Sequence, residues 1–346
     1  MNILTHGARK AAKQNAEPLV DTIGRTITYL RVSVTDRCDL RCQYCMPKDM
    51  SFVPRSEVLD LEELEQICGA FVHLGVRKIR LTGGEPLVRR NVMSFIQGMS
   101  CHLGSGGLDE ICLTTNGTQL AKHADALHRN GVRRINVSLD TLDPSDYEMM
   151  TRGGKLKDVL GGLAAARESG LQVKLNCVAL KGFNDTHFDS MVDWCGEQGF
   201  DLTFIESMPM GDIGKCRMMS YLPLSEVREQ LSQNWTLDDI NHSTGGPSKY
   251  VRVAETGRKV GFISPLSKSF CEGCNRVRLT CIGQLYMCLG QGESVDLRAA
   301  VREGRCIEEA IREGINAKPI GHDFSYDFSS REEQGKMDRC MSVTGG

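Results

Sequence analysis

Two compact groups of three cysteines constrain this chain more than any other feature. CDLRCQYC (38–45) holds Cys38, Cys42 and Cys45, and CEGC (271–274) holds Cys271 and Cys274, with thirteen residues between Cys274 and Cys288. Three protein thiols leave one position of a metal site open, whereas a structural zinc site normally closes its tetrahedron with four ligands. A four-iron cluster on three cysteines keeps one iron free to hold a small molecule. Chance placement and zinc remain the alternatives for the first group. For the second, Cys281 could in principle supply a fourth ligand and make a zinc ribbon.

The chain has fifteen cysteines in all, an odd number that argues against a disulfide framework if the protein is, as expected, not secreted. Outside the two groups they are mostly scattered singly, where a small buried hydrophobe is the better reading, as for Cys68 and Cys195 beside the apolar stripes of helices. A chain of 346 residues, 40% apolar and 25% charged, can bury a large core, which excludes a disordered or fibrous chain. Forty-two Lys and Arg against 44 Asp and Glu give a net charge of −2, too balanced for binding nucleic acid through a whole-body positive field. No apolar run reaches the ~18–20 residues of a membrane span. The first 25 residues lack the apolar core of a secretory signal, and Glu17, Asp21 and the shortage of serine argue against a transit peptide, so a cytoplasmic protein is expected.

Short β-type runs recur at 27–35, 78–82, 110–115, 134–139, 173–179 and 202–206, with helices between most of them, the βαβ alternation of a parallel sheet. Leu61, Leu64, Ile67, Phe71 and Leu74 repeat at helical spacing behind an Asp60 cap with Glu63 three positions on. A second helix carries Leu156, Val159, Leu160 and Leu163 and stops near Gly170; a third runs from about Thr186 to Gly199. Six such units fit a doubly wound sheet or part of a β/α barrel, and in both folds ligands gather at the carboxyl ends of the strands. After about Tyr221 the alternation fades into a short helix (225–231), a Gly/Pro/Ser stretch (243–248) and the second cysteine group. The reading is a flexible lead (1–22), a partial barrel (23–220) and a smaller C-terminal domain or extension (221–346).

CxxxCxxC just past the first strand, with Tyr44 before its last cysteine, resembles the radical S-adenosylmethionine (SAM) superfamily, and TGGEP (82–86) is a second feature of it. Its glycines would let backbone approach the methionine part of the cofactor. Further along, YLRVSVTDRC (29–38), KIRLTGGEP (78–86), TTNG (114–117), VSLD (137–140), CNRVR (274–278) and the terminal Gly345-Gly346 are similar to the GTP 3′,8-cyclase family over nearly the whole chain. That resemblance implies a partial (β/α)6 TIM-like barrel with a C-terminal extension. It implies a first [4Fe-4S] cluster on Cys38, Cys42 and Cys45, and a second on Cys271, Cys274 and Cys288 whose open iron holds the guanine ring. Tyr44, Gly84, Ser138 and Met208 would line the SAM pocket. Arg31, Arg80, Thr114, Lys174, Arg276, Val277 and Arg278 would bind GTP, Val277 through backbone or packing alone. The tail would reach toward the active site and be needed for activity.

The residues themselves agree with this assignment, because Arg31, Arg80 and Lys174 fall in strands, where a cation facing a barrel interior needs an anion such as a triphosphate. Arg276 and Arg278 alternate on one strand face beside the second cysteine group. The resemblance further implies an external electron donor and a homodimer. Thr203 departs from the family pattern, in which many members carry an arginine. Two other readings are a different radical SAM enzyme acting on a peptide, which would carry more C-terminal cysteine ligands, and a zinc protein binding nucleic acid. About eight irons per chain would separate the cluster readings from one or two zincs.

Overall fold

The computed structural model describes residues 17–104, 107–210, 220–267, 270–327, 332–334 and 339–345. Its strands alternate strictly. Leu30 and Val32 of β1 (Tyr29–Ser33), Ile79 and Leu81 of β2 (Lys78–Thr82), Ile111 and Leu113 of β3 (Glu110–Thr115), and Ile135 and Val137 of β4 (Arg134–Ser138) are buried on one face. Leu175 and Cys177 of β5 (Gln172–Ala179) and Leu202 and Phe204 of β6 (Asp201–Glu206) continue it. This period-two apolar face joins one core cluster with the inward stripes of the crossover helices α1 (Leu61–His73), α2 (Val92–Ser100), α3 (Leu120–Arg129), α4 (Pro144–Thr151), α5 (Leu156–Glu168) and α6 (Phe188–Gln198). The opposite face carries the polar and charged residues.

The six strands pair in parallel in chain order, β1 to β6, without the reversal that defines a doubly wound sheet, so the barrel-type winding is the one adopted. The sheet stays open. After α7 (Leu224–Leu231), the strands β7 (Leu237–Ile240), β8 (Lys249–Val253) and β9 (Lys259–Ile263) extend the β6 edge, β9 parallel and the other two antiparallel. On the far side β10 (Arg276–Leu279) lies parallel to β1, followed by β11 (Gln284–Tyr286) and β12 (Ser294–Asp296). The segment after 220 therefore flanks both edges of one twelve-stranded sheet and shares its core through Leu222, Val251, Val277 and Leu285. The helices α8 (Leu297–Arg302), α9 (Ile307–Asn316) and α10 (Met341–Thr344) complete the chain, with a small hairpin of β13 (Ser325–Asp327) and β14 (Glu332–Gln334) before α10.

Local signals held where they were strongest. Asp60 and Glu63 form a reciprocal capping box at α1, and Gly199 ends α6 in the left-handed region at φ 78°. Element ends moved by one or two residues: the first strand is shorter than 27–35, and α6 begins at Phe188 rather than near Thr186. Two expectations are corrected. The end of the supposed flexible lead is packed, because Leu19 is buried and Asp21 forms a buried ion pair with Arg25; residues 1–16 lie outside the described residues. Cys101 and Cys306 are exposed rather than buried, since they cap helix ends at the surface, while Cys216 lies outside the described residues. No helix among the described residues is long and apolar enough to cross a membrane.

The ring of Phe204 meets Phe188 edge-on at 4.9 Å and stacks on Phe262 at 6.2 Å, joining β6, α6 and β9. Phe204→Ala is expected to cost about 3–5 kcal/mol in denaturant unfolding. Asp60→Ala, which removes only the α1 cap, should cost about 1 kcal/mol.

Candidate active site

Residues from β10, β1 to β6 and β9 line one cavity on the polar face, and strands so far apart in a sheet meet around one space only because the sheet curves. The cavity brings together nearly every residue singled out from the sequence: Cys38, Cys42 and Cys45; Cys271, Cys274 and Cys288; Tyr44, Gly84, Ser138 and Met208; Arg31, Arg80, Thr114, Lys174, Arg276 and Arg278. Val277 is the exception. It faces the core on the other side of β10, 1% exposed, so its side chain does not reach the cavity.

The first cysteine group sits on the loop after β1, and that loop is held from several sides. Asp39 accepts hydrogen bonds from Asn116, Thr118 and Gln119 beyond β3, and Arg152 at the end of α4 donates to the carbonyls of Arg41 and Met46. The TGGE turn packs directly on it. A Cβ at Gly84 would collide with the Arg37 carbonyl and lie 2.7 Å from that of Asp36, while Gly84 and Glu85 donate their N–H groups to the carbonyls of Thr35 and Arg37. The glycine is thus required by the close approach of the two loops. Glu85 accepts from Thr115 Oγ1 and from the N–H groups of Leu87 and Asn116, and burial pushes its carboxyl up to about 7. Tyr44 donates its hydroxyl to Asp140 Oδ2 at 2.6 Å, and Val178 N–H donates to Asp140 Oδ1 at 2.8 Å; burial pushes Asp140 up to about 6.

Burial pushes the Cys38 thiol up to about 12 and that of Cys42 well above its ordinary value, with Cys45 and Cys38 adding to the effect on Cys42. Such thiols ionise when a metal supplies the positive charge. Leu40 N–H and Asn116 Nδ2 approach Cys38 Sγ at 3.4 and 3.6 Å, donors suited to a thiolate. In the second group Cys271 and Cys274 occupy a turn before β10, and Cys288 follows β11. Burial pushes Cys274 up, but Arg276 and Lys318 outweigh it and hold the thiol below its ordinary value; Cys288 is raised by burial. Among the described residues no three His, Cys, Asp or Glu side chains converge on a single-ion position. Three thiols facing one cavity, twice over, are a donor set that could hold an iron–sulfur cluster at each place. Cys281 is buried outside the cavity, where its carbonyl accepts from Leu59 N–H.

Between the two groups stand the cations. Arg80 donates Nε to the Tyr29 hydroxyl and a terminal nitrogen to Thr114 Oγ1 at 3.1 Å, and Lys174 donates to the Tyr250 hydroxyl at 3.1 Å. Arg276 lies over the Phe270 ring at 5.2 Å. Arg31 and Arg278 both donate to the carbonyl of Gly345, at 3.3 and 2.5 Å. Burial, with repulsion from Arg80 and Arg276, lowers Arg31 to about 10; burial, with Arg31 and Arg276, drives Arg278 well below its ordinary value. Guanidinium groups stay charged in proteins, so both arginines are held in a place that disfavours charge, first through burial and then through like charges nearby. Among the described residues the buried Asn136 Oδ1 also has no hydrogen-bond partner. Thr203 is fully buried beside Gly261 and does not line the cavity.

Sequence reasoning missed Tyr29, Asp140, Phe270, Tyr250 and Lys318. Tyr29 and Asp140 stand inside the very motifs quoted above, so period-two counting along β1 and the VSLD run could have found them. Tyr250 and Lys318 carry no local signal. Gly346 lies outside the described residues.

Residues 32–195 match the model of the Radical SAM superfamily, and residues 200–324 match that described as Molybdenum Cofactor Synthesis C. The chain is 56% identical over 333 residues to the GTP 3′,8-cyclase of Paracoccus denitrificans, covering 95% of this chain and 96% of that protein. It is 53% identical over 345 residues to the GTP 3′,8-cyclase of Rhizobium etli, covering 99% and 98%. Among solved structures, Streptococcus suis SuiB bound to S-adenosylmethionine is similar with a TM-score of 0.62 at 15% identity, over 92% of this chain and 78% of that one, a likeness of fold alone.

The geometry predicts how iron follows the cysteines. After anaerobic reconstitution, Cys281→Ser should hold as much iron as the unaltered chain, while Cys42→Ser and Cys274→Ser each lose about half. Loss of half the iron in Cys281→Ser would make it a ligand of the second site.

Proposed function

The chain belongs to the GTP 3′,8-cyclase family of the radical SAM superfamily, and from that membership we propose that it converts GTP into (8S)-3′,8-cyclo-7,8-dihydroguanosine 5′-triphosphate, opening molybdenum cofactor biosynthesis. One observation carries the choice of substrate. Five cations, Arg31, Arg80, Lys174, Arg276 and Arg278, face a single cavity from the inner side of the sheet, between the two cysteine groups. A polyanion offsets their crowding, and a triphosphate has the charge to do so.

When bound, the first cluster and S-adenosylmethionine would supply the radical chemistry that abstracts hydrogen from the substrate, with an external electron donor. The chain's own residues orient and enclose. Cys38, Cys42 and Cys45 would hold that cluster. Tyr44, fixed through its hydroxyl by Asp140, lines the cavity with Gly84, Ser138 and Met208, and these four would contact SAM. Cys271, Cys274 and Cys288 would hold a second [4Fe-4S] cluster, whose position beside Arg276 and Arg278 suits a guanine ring carrying phosphates. Arg80 and Lys174 arrive pre-oriented by Tyr29, Thr114 and Tyr250, so little side-chain freedom is lost when a phosphate binds. An external one-electron donor, a cytoplasmic location and a homodimer belong to the same reading and rest on the family.

Anaerobic incubation of reconstituted protein with SAM, a strong reductant and GTP tests it. GTP-dependent 5′-deoxyadenosine together with a cyclised nucleotide is expected, and none with ATP. 5′-Deoxyadenosine forming equally without GTP, with GTP untouched, would mean the substrate is wrong.

Two variants follow from the geometry. Arg278→Ala should lower product formation at least tenfold, since one hydrogen-bonded charge is worth about 1.5–3 kcal/mol. At Gly345, φ is 76° and a Cβ would lie 2.8 Å from Thr82 Cβ. Gly345→Ala should therefore withdraw the tail from Arg31 and Arg278 and cut turnover about tenfold or more, with thermal unfolding unchanged.

A further inference from the structure

Lys318, just past α9, is 4% exposed, and among the described residues it has no ion pair. Its ammonium donates to the carbonyls of Arg276, at 2.9 Å, and Met287, and it stands 3.8 Å from Cys274 Sγ. Asp21, a carboxylate near enough to be felt, is already committed to Arg25 at 2.5 Å, and Arg25 itself repels the ammonium. A buried cation that has only carbonyls around it is poorly matched. The nearest atom able to carry the missing negative charge is the sulfur of Cys274, as a thiolate ligand. At the first cysteine group, by contrast, Cys38 Sγ is met by the neutral donors Leu40 N–H and Asn116 Nδ2.

We propose that Lys318 is the fixed counter-ion of the second cluster, and that its charge-assisted N–H···S contact to Cys274 raises that cluster's reduction potential. The inference rests on reading Cys271, Cys274 and Cys288 as cluster ligands. Reduction adds a negative charge to the cluster, so a cation held against one of its sulfurs stabilises the reduced form more than the oxidised one. The two carbonyl contacts keep the ammonium in place in both states. Lys318 is in this sense a positioning and tuning residue, and it need touch no substrate.

Redox titration of the reconstituted full-length protein, followed by electron paramagnetic resonance, tests this, with Cys42→Ser used to assign which signal belongs to the second cluster. Lys318→Met keeps the volume and removes the charge; it should move the second cluster to a more negative potential and leave the first unchanged. Lys318→Arg keeps the charge and should stay near the unaltered protein. An unchanged second potential in Lys318→Met, or equal shifts in Met and Arg variants, would overturn the proposal and leave Lys318 as a structural tie. Should Lys318→Met fail to take up the second cluster, Lys318→Gln, which still has donors for the carbonyls, carries the same comparison. Iron for only one cluster in the unaltered protein would instead overturn the cluster reading itself, a failure visible before any potential is measured.

Discussion

Positive charge buried on the concave side of a β-sheet is the constraint that the rest of this structure serves. A β/α sheet ordinarily fills its inner face with branched apolar side chains. Here Arg31, Arg80, Lys174 and Arg278 occupy positions a packed barrel would give to valine or leucine, and stability must come from the other face. The unbroken apolar layer from Leu30 to Phe204 against the helices supplies it. Among the described residues Arg80, Lys174, Arg276 and Arg278 have no carboxylate ion pair; phenols, a threonine hydroxyl, an aromatic face and backbone carbonyls take its place. Neutral partners fix the direction of a cation without cancelling its charge. The site is therefore oriented in advance yet still electrostatically open to an anion.

Topology explains how the two cysteine groups, more than 220 positions apart, come to face each other. Parallel pairing of β10 with β1 sets Tyr29 beside Arg276 and Arg31 beside Arg278. The loop leaving β1 carries the first group and the turn entering β10 carries the second, so the cavity lies between them. The same pairing places two guanidinium groups side by side, an arrangement that would be unfavourable without a shared acceptor. The Gly345 carbonyl is that acceptor. At the other edge β9 joins β6 and brings β8 with Tyr250, the hydroxyl that holds Lys174.

Much of this was legible in the sequence, and the parts that were not share a cause. Alternation along 78–82 and 110–115 marked both ends of those strands, and the Asp60 and Glu63 box marked the start of α1, because each signal is local. The two cysteine groups were recovered through a spacing that carries chemistry, and the other expected cavity residues through the family resemblance. What escaped depends on contacts distant in sequence: Leu19 closing the core, Tyr250 reaching Lys174 across 76 positions, Lys318 reaching Cys274 across 44. Gly84 was read as a site of close backbone approach, and in the fold it both lines the cavity and packs against the cysteine loop, a contact distant in sequence. Val277, expected to contribute through backbone or packing alone, faces the core, as strand alternation between Arg276 and Arg278 requires.

The C-terminal tail ties these threads together. A helix of four residues such as α10 has no stability of its own, because the nucleation cost exceeds what one turn returns. Its position must come from contacts, and those are with β1 and with the paired guanidinium groups that Gly345 bridges. Ordering of the tail and the charge state of the cavity are therefore one equilibrium seen from two ends. A neutral carbonyl shared by two guanidinium groups leaves most of their charge uncompensated, so a phosphate entering the cavity gains more from the same arginines than the tail does. The glycine at 345 suits this balance: it allows the left-handed turn and the close approach to Thr82 that bring the carbonyl within reach, and it adds no side chain to occupy the space an anion would need.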